Sequence, residues 1–374
     1  MEKKMYKKEE PIQYETYEMG IVLPRKFLSN GPGWGLGGVC DKNNCFVESS
    51  SYHGGWIDHG GIYQWDEEKY VDETIVYFGL FFKHWGHFLV DLNSRLWFPA
   101  ISNKFTNQMK IAYIGEDEID GNYLEYFHLL GIQKEQLIHV TQPTRFNKVI
   151  VPHFSMRGCI WFSNEYEKML DKLISNALIE INGKEKISCE KVYFSRLNLR
   201  KAVLTEVGEA QIVKMFSINN YTVLSPETLS LKQQIYIWNT CQQIVCINGS
   251  IALNCMFSKN IDLHLVVLNK TSLIHLNLDL FILMRNTDIY YINIYKEPYL
   301  TKNIPSNLGS GPFLMEISDD LLKFFANNNL VNPYKKIMIF FIKCVNRIRY
   351  TWKVWNIKNK IKLFLQKLYI RKRG

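Results

Sequence analysis

The fold is decided by a series of five short apolar runs: KVYFS (191–195), YTVL (221–224), QIVCIN (243–248), DLHLVVLN (262–269) and DIYYINIY (288–295). Each run is rich in β-branched and aromatic residues, which predicts a strand. Helical patterns fill the gaps, and Ser230-Leu-Lys-Gln233 has the form of a capping box. Strands that alternate with helices indicate βαβ units around a parallel sheet. The sequence therefore predicts a Rossmann-like domain over residues 186–334.

The first half of the chain predicts a second α/β domain, over residues 1–185. Its pattern runs strand (74–82), helix (84–98), strand (109–115), helix (121–131), two strands (137–141, 146–151) and helix (164–181). Residues 12–70 are rich in glycine, asparagine, serine and aromatics, and the string GPGWGLGG (31–38) is expected to be a surface loop. The expected fold class is α/β, with two Rossmann-like domains that face each other across a cleft.

The amino-acid composition limits the classes of protein to which this chain can belong. The chain has 374 residues, 47% of them hydrophobic, which is typical of a packed globular protein. Its eight cysteines contain no Cys-x-x-Cys pair, so free thiols in a reducing compartment are expected. The N-terminus lacks the apolar core of a secretory signal, and no apolar run is long enough to span a bilayer. We therefore expect a cytoplasmic protein.

The positive charge is concentrated in the last 40 residues. Residues 335–374 contain 13 lysines and arginines and no acidic residue, whereas the whole chain has 45 basic and 36 acidic residues. Aromatic and aliphatic residues interleave with these charges, a composition typical of an interfacial membrane helix. The sequence predicts a basic amphipathic tail that attaches the protein peripherally to the anionic inner face of the cell membrane. The alternatives are a helix that packs on the body and a nucleic-acid arm, and the latter is disfavoured because no recognition module accompanies it.

A stripe of polar residues marks the first candidate site. His84, His87, Asp91 and Arg95 follow a predicted strand at spacings of 3, 4 and 4, which places them on one face of a helix. Such a face suits acid–base chemistry or anion binding, and ligands gather where strands end in α/β folds. Solvated or core-satisfied side chains are the plainer alternative, and a metal site of His84, His87 and Asp91 is a third.

The second candidate site lies at strand ends of the predicted second domain. Ser195 and Arg196 end one strand and Arg200 follows in the loop, while another strand ends in Asn248-Gly249-Ser250, where a helix is expected to begin. Backbone N–H groups at such a start, a glycine that permits close approach and nearby arginines favour a diphosphate. Asn254 follows Ser250 on the same predicted helix face.

These segments together resemble a known family. HWGHFLVD-x-x-x-RLW (84–97), VYFSR-x-x-x-R (192–200), TE (205–206), LSPE (224–227), QQ (233–234) and NGS-x-ALN-x-x-F (248–257) occur in the order found in glycosyltransferase family 61. The resemblance covers about residues 74–270. It implies an inverting, metal-independent sugar transfer from a nucleotide sugar on a GT-B-like pair of domains, often in capsular or exopolysaccharide synthesis.

The resemblance assigns roles to the candidate residues. Asp91, His87 and His84 are the candidates for the catalytic base, and Arg196, Arg200, Asn248, Gly249, Ser250, Asn254 and Arg95 are the candidates for donor binding. We expect a donor linked to uridine diphosphate, a glycan or lipid-linked acceptor, and no other cofactor or metal. Two other functions remain open: a metal-dependent hydrolase that uses His84, His87 and Asp91, and a non-catalytic nucleotide-sugar-binding protein.

Overall fold

The computed structural model of the chain describes residues 5–54, 57–296, 308–309 and 311–371, with side chains up to residue 356. Its strands are β1 (Tyr6–Lys8), β2 (Tyr14–Glu18), β3 (Ile21–Lys26), β4 (Leu36–Cys40), β5 (Tyr52–His53), β6 (Asp58–His59), β7 (Lys69–Phe81), β8 (Lys110–Gly115), β9 (Leu137–His139), β10 (Thr144–Pro152), β11 (Met156–Arg157), β12 (Trp161–Ser163), β13 (Lys191–Phe194), β14 (Glu206–Val207), β15 (Thr222–Leu224), β16 (Gln243–Ile247), β17 (His264–Asn269), β18 (Asp288–Asn293) and β19 (Phe313–Leu314).

Its α-helices are α1 (Trp85–His87), α2 (Trp97–Ile101), α3 (Gly121–Leu129), α4 (Asn164–Glu180), α5 (Arg200–Thr205), α6 (Glu209–Ser217), α7 (Leu231–Thr240), α8 (Leu276–Arg285), α9 (Asp319–Asn327) and α10 (Lys336–Arg371). The 3-10 helices span Glu48–Ser50, Asn93–Arg95, Lys134–Gln136, Pro226–Thr228 and Ala252–Phe257, and a π-helical turn spans Phe88–Leu92. The predicted mixture of helices and parallel strands is confirmed.

The first large sheet has seven strands in the order β4-β3-β10-β7-β8-β9, with β2 paired to β10. Strands β10, β7, β8 and β9 run parallel, as the alternating pattern predicts. Strands β2, β3 and β4 add antiparallel pairs that extend the sheet. The sequence pattern predicts no strand within residues 12–70, because their glycines and polar residues obscure these three short strands. The glycine string, expected to be a surface loop, ends inside β4, where Gly37 and Gly38 are buried, so that expectation is wrong in part.

The second large sheet is wholly parallel, in the order β15-β13-β16-β17-β18. All five predicted strands are present, and the capping box of Ser230 and Gln233 at the start of α7 is confirmed. The order reverses between β13 and β16, so a crevice opens at the carboxyl ends of these two strands, where ligands bind in open parallel sheets. The fold of this half thus positions the residues after β13 and β16 together.

Two apolar clusters hold the sheets. One cluster runs from the first sheet through α4 and α7 to the near face of the second sheet, so the two halves share a core. The other covers the far face of the second sheet beneath α6, α9 and the start of α10. No helix in the described part of the chain is long and apolar enough to cross a bilayer.

A candidate active site between the two sheets

A cleft of about 590 Å³ separates the two halves of the molecule. One wall is the turn after β7 with α1, which contributes His84 and His87. The other wall consists of segments that follow β13, β16 and β17, including Arg196, Ser250 and Lys270. The two sets of candidate residues, more than 100 positions apart in the chain, therefore face one cavity.

The segment 84–98 is not the single regular helix that its spacing predicts. His84 caps α1, the chain then makes a π-helical turn at Phe88–Leu92, and a 3-10 turn at Asn93–Arg95 leads into α2. A π turn takes more residues per turn than an α-helix, so every later side chain is rotated relative to the first turn. The stripe is therefore split, with His84 and His87 on the cleft and Arg95 away from it.

His87 and Asp91 form a hydrogen-bonded pair. The Nδ1 atom of His87 lies 2.7 Å from Oδ2 of Asp91, whose side chain is completely buried, while that of His87 is 30% exposed. The hydroxyl of Tyr52 donates to the other carboxylate oxygen of Asp91. The edge of Trp34 packs on the His87 ring, with the centroids 5.1 Å apart. Asp91 thus orients the imidazole from behind, and His87 is the member of the pair that lines the cleft.

His84 has a different role from His87. Burial, together with the nearby His87 and Lys201, lowers its pKa to about 4, so His84 is neutral near pH 7. Its Nδ1 accepts a hydrogen bond from the backbone N–H of His87. The neutral ring therefore carries its proton on Nε2 and can donate that proton to an oxygen of a ligand.

Arg95 does not reach the cleft. Its guanidinium donates to the carbonyl oxygens of Pro152, Ser49 and Ser51 and stacks on Phe154 at 4.0 Å. Burial lowers its pKa to about 10, which still leaves it charged near pH 7. These bonds tie the 3-10 turn to neighbouring loops, so Arg95, predicted as a donor-binding residue, does not line the cleft.

The opposite wall is built on a buried ionic cluster. Glu206 accepts hydrogen bonds from Arg196 at 3.0 Å and from Lys270 at 2.7 Å. Burial alone would raise the pKa of Glu206, but the positive charges of Lys270 and Arg196 hold that pKa below its ordinary value. Burial also lowers the pKa of Lys270, to about 8. Beside this cluster, burial raises the pKa of Glu209 to about 7, and Glu209 accepts a hydrogen bond from the backbone of Arg196.

The Asn-Gly-Ser turn lies against α1. A Cβ atom on Gly86 would come within 2.9 Å of Oγ of Ser250, so a larger residue here would displace the Ser250 side chain. The indole of Trp85 donates to Asn254 across the cleft, and Asn254 donates to Gln234. These contacts explain why the motif residues occur together, because they join the two halves of the site.

The turn itself differs from the prediction. The helix after Ser250 is a 3-10 helix that begins at Ala252, and the backbone N–H groups of residues 249–251 donate to no described residue. They therefore remain available to a ligand in the cleft. Asn248 is completely buried beneath the turn and donates to Asn269, so it supports the turn from below.

Arg200 is placed apart from these residues. It is the first residue of α5, its side chain is exposed, and it does not line the cleft. Its neighbour Lys201 does line the cleft. The one-residue difference depends on how the loop after β13 turns into α5, which the spacing of the two arginines does not reveal.

Sequence reasoning missed three functional candidates. Lys201 and Lys270 line the cleft as cations, and His275 lines it near His87 and Asp91. Burial lowers the pKa of His275 to about 4, and Asp91 and His87 both act on its charge. Lys270 and His275 follow the carboxyl end of β17, so strand-end position was the available signal, but the helical pattern that follows this strand obscures His275.

Positively charged side chains predominate in the lining of the cleft. Among the described lining residues, Lys83, Arg196, Lys201 and Lys270 outnumber the two carboxylates Glu206 and Glu227. Across the described part of the chain, no group of three or more His, Cys, Asp or Glu side chains is arranged to hold a metal ion. The arrangement can hold an anion on one wall and move a proton on the other.

Comparison with known proteins agrees with this geometry. Residues 85–262 match the family model described as Glycosyltransferase 61. The match begins in α1 and extends past the Asn-Gly-Ser turn, so it includes residues from both walls of the cleft. No curated protein matches the chain. Over these residues, somewhat less than half of the chain, the sequence matches glycosyltransferase family 61, and the match supports a glycosyltransferase activity.

Proposed function

We propose that this protein transfers a sugar, with inversion and without an essential metal ion, from a nucleoside diphosphate sugar to a lipid-linked glycan. The observation that carries the proposal is the Asp91–His87 pair, which faces a cationic wall across one cleft. We place the reaction in cell-surface or capsular polysaccharide synthesis in a bacterium, with the two sheets as a GT-B-like pair and the donor linked to uridine diphosphate.

The proton transfer is assigned to His87. With Nδ1–H donating to Asp91, the neutral ring of His87 can accept a proton at Nε2, as a general base requires. The acceptor oxygen then bonds to the anomeric carbon as its proton moves to Nε2. Asp91, buried beside the ring, stabilises the imidazolium that forms. His84, with its low pKa, is a weak base and is assigned to donate a hydrogen bond to the substrate.

The departing group is assigned to the opposite wall. The bond between the anomeric carbon and the diphosphate oxygen breaks, and negative charge grows on the diphosphate. Arg196, Lys270 and Lys201 lie where they can offset that charge, and the N–H groups of residues 249–251 can donate to its oxygens. These groups would take the part that a divalent cation has in other transferases.

The two other candidate functions are less well supported by the geometry. A hydrolase that binds metal through His84, His87 and Asp91 needs their donor atoms to converge on one point. Instead, Nδ1 of His87 is bonded to Asp91, and Nδ1 of His84 accepts from the backbone of His87. A non-catalytic sugar-nucleotide sensor would not need the Asp91–His87 pair, which is the feature that favours an enzyme.

A thermal-shift screen with turnover analysis separates the three functions. Nucleoside diphosphates and sugar nucleotides should raise the melting temperature by a few degrees at saturating concentration, with or without chelator, because they bind only the folded protein. Nucleoside diphosphate should then be released when an acceptor extract is added. Loss of the shift with chelator would favour the hydrolase, binding without turnover would favour the sensor, and no shift with any sugar nucleotide would contradict the proposal.

The same proposal includes a location. A lipid-linked acceptor remains at the membrane, and an enzyme held at the cytoplasmic face would meet it there. Residues 335–374, with 13 basic and no acidic residues, are the proposed attachment. The side chains of residues 357–374 lie outside the described part of the chain, so the argument from structure depends on the first half of α10.

A further inference from the structure

Helix α10 packs on the body through one face only. The side chains of Ile339, Tyr350 and Val354 on this inner face are buried, and Asn346 lies between them. Lys353 donates to the carbonyl oxygens of Val203 and Glu206. The sequence left open whether the tail packs on the body, and its first half does so.

The opposite face of the same helix is apolar. Ile348 is 71% exposed, Trp352 is 64% exposed and Phe341 is 60% exposed. They belong to a series with spacings of three and four, which places every member on one side of a helix. We name this series the outer stripe: Ile337, Phe341, Val345, Ile348, Trp352 and Trp355. A helix that packs on a soluble body ordinarily turns a polar face outward, so this stripe requires a partner.

Basic residues flank the stripe on both sides. At 100° per residue, Arg347 lies on one side of the stripe and Arg349 on the other, whereas Lys343 and Lys353 project toward the inner face. Arg347 is paired with Glu316, whereas Arg349 is exposed and has no ion-pair partner among the described residues. An apolar centre between two cationic flanks is the geometry of a helix that lies in a membrane interface.

Charge decides between a membrane and a second copy of the chain. Two copies that pair along their outer stripes would bring cationic flanks together, and residues 335–374 offer no acidic side chain to offset them. Anionic lipid headgroups complement these flanks, and tryptophan side chains favour the boundary between headgroups and acyl chains. The observations therefore favour an anionic bilayer as the single occupant.

We propose that α10 lies flat on an anionic membrane, with the outer stripe in the interface and the inner face holding the body above it. This inference adds a membrane orientation to the proposed function. It rests on the proposed function only for the reason why the protein would contact a membrane. The bond from Lys353 to the strand of Glu206 joins the helix to the ionic cluster of the cleft. The bilayer surface would thus be fixed relative to the donor wall, at the side where a lipid-linked acceptor arrives.

The test changes the stripe and leaves the inner face intact. The double variant Phe341→Gln/Ile348→Gln replaces two exposed side chains with a good helix former, so the melting temperature should not change. In flotation assays with vesicles of phosphatidylglycerol and phosphatidylcholine, this variant should bind at least about tenfold more weakly than the unchanged protein. Deletion of the helix is a poorer test, because its inner face is part of the core.

Control variants distinguish a loss of the outer stripe from other causes of weaker vesicle binding. Ile179→Gln/Ile261→Gln alters two isoleucines elsewhere that are at least as exposed and should leave vesicle binding unchanged. Arg349→Gln should flatten the salt dependence of binding. Unchanged flotation of the stripe variant would overturn the proposal. So would sedimentation of the unchanged protein as a dimer that the stripe variant loses.

A second measurement does not depend on weakened binding. Trp352→Phe/Trp355→Phe keeps the stripe apolar and should bind vesicles normally, but should lose most of the quenching by brominated lipid that the unchanged protein shows. Equal quenching in both proteins would place the contact elsewhere and overturn the proposal. Nucleoside diphosphate affinity in solution should be the same for all these variants, which separates a failure of membrane docking from a failure of the proposed enzyme function.

Discussion

The two walls of the cleft both contain a buried carboxylate, but its partners differ. On one wall, Asp91 is bonded to an imidazole and a phenol, and its neighbour His84 is kept neutral by burial. On the other, Glu206 is bonded to two cationic side chains, Arg196 and Lys270. The first arrangement can take up a proton, and the second holds positive charge in place. The difference supports the proposal that one wall carries the catalytic base and the other binds the donor.

Removal of the His87 imidazole is the strongest test of this proposed division of roles between the two walls. His87→Ala should lower kcat by about 100-fold to 10,000-fold, because a positioned general base contributes about that much. Affinity for the nucleoside diphosphate, measured by isothermal titration calorimetry, should stay within about twofold, since His87 is assigned no contact with the donor anion. Asp91→Asn should lower kcat as well, through the orientation of the ring. Wild-type transfer by both variants would refute the base assignment.

The reciprocal change is made on the cationic wall. Arg196→Ala should weaken nucleoside diphosphate binding by about 10-fold to 100-fold, because a charge-assisted hydrogen bond contributes about 1.5–3 kcal/mol. Lys270 would still neutralise Glu206, so the fold should persist. Calorimetric titration measures the effect.

The matched control for Arg196 is Arg200. Arg200→Ala removes the same charge from an exposed position outside the cleft lining, and its effect should be less than about threefold. An equal loss from both variants would show that affinity depends on overall charge and not on the cleft.

These two arginines show how far sequence could predict the site. Both follow the same strand, and local spacing cannot tell which one the turn into α5 directs inward. His87 and Asp91 were predicted together because four residues span one turn of either an α-helix or a slightly wider π turn. Arg95 was not, since the same wider turn rotates all later residues. Periodicity therefore predicted near neighbours correctly and failed where an irregular turn accumulated a rotation.

The fold shows the same limit. The five strands of the second sheet were predicted because each is a compact apolar run in a parallel sheet that is buried on both faces. Strands β2, β3 and β4 were missed because they lie at the edge of the first sheet among polar residues and glycines. Tyr52 and Trp34, which support the catalytic pair, belong to that same irregular region, and only tertiary contacts reveal their role.

A substitution at Tyr52 should have a smaller effect on catalysis than a substitution at His87. We assign it as a positioning residue, because its hydroxyl reaches Asp91 and not the cleft. Tyr52→Phe should lower kcat about tenfold, and the less neutralised Asp91 should move the acid limb of kcat/KM to higher pH. Tyr113→Phe removes a similar hydroxyl–carboxylate bond, to Glu118, between two residues that do not line the cleft, and should change neither quantity. A lower kcat without a displaced pH profile would indicate a purely structural role for Tyr52.

The smallest effect concerns the charge of Lys270. Burial lowers the pKa of Lys270 to about 8 despite the opposing influence of Glu206, and a bound diphosphate would raise it again. A cation whose pKa rises on binding gives affinity that is fully present below about pH 8 and is lost as pH increases beyond it. Nucleoside diphosphate affinity should therefore fall by less than about tenfold between pH 7 and pH 9. The corresponding nucleoside, which lacks the phosphates, should bind equally at both pH values. A parallel decline for nucleoside and diphosphate would mean that the fold and not Lys270 responds to pH, and would remove Lys270 from the anion site.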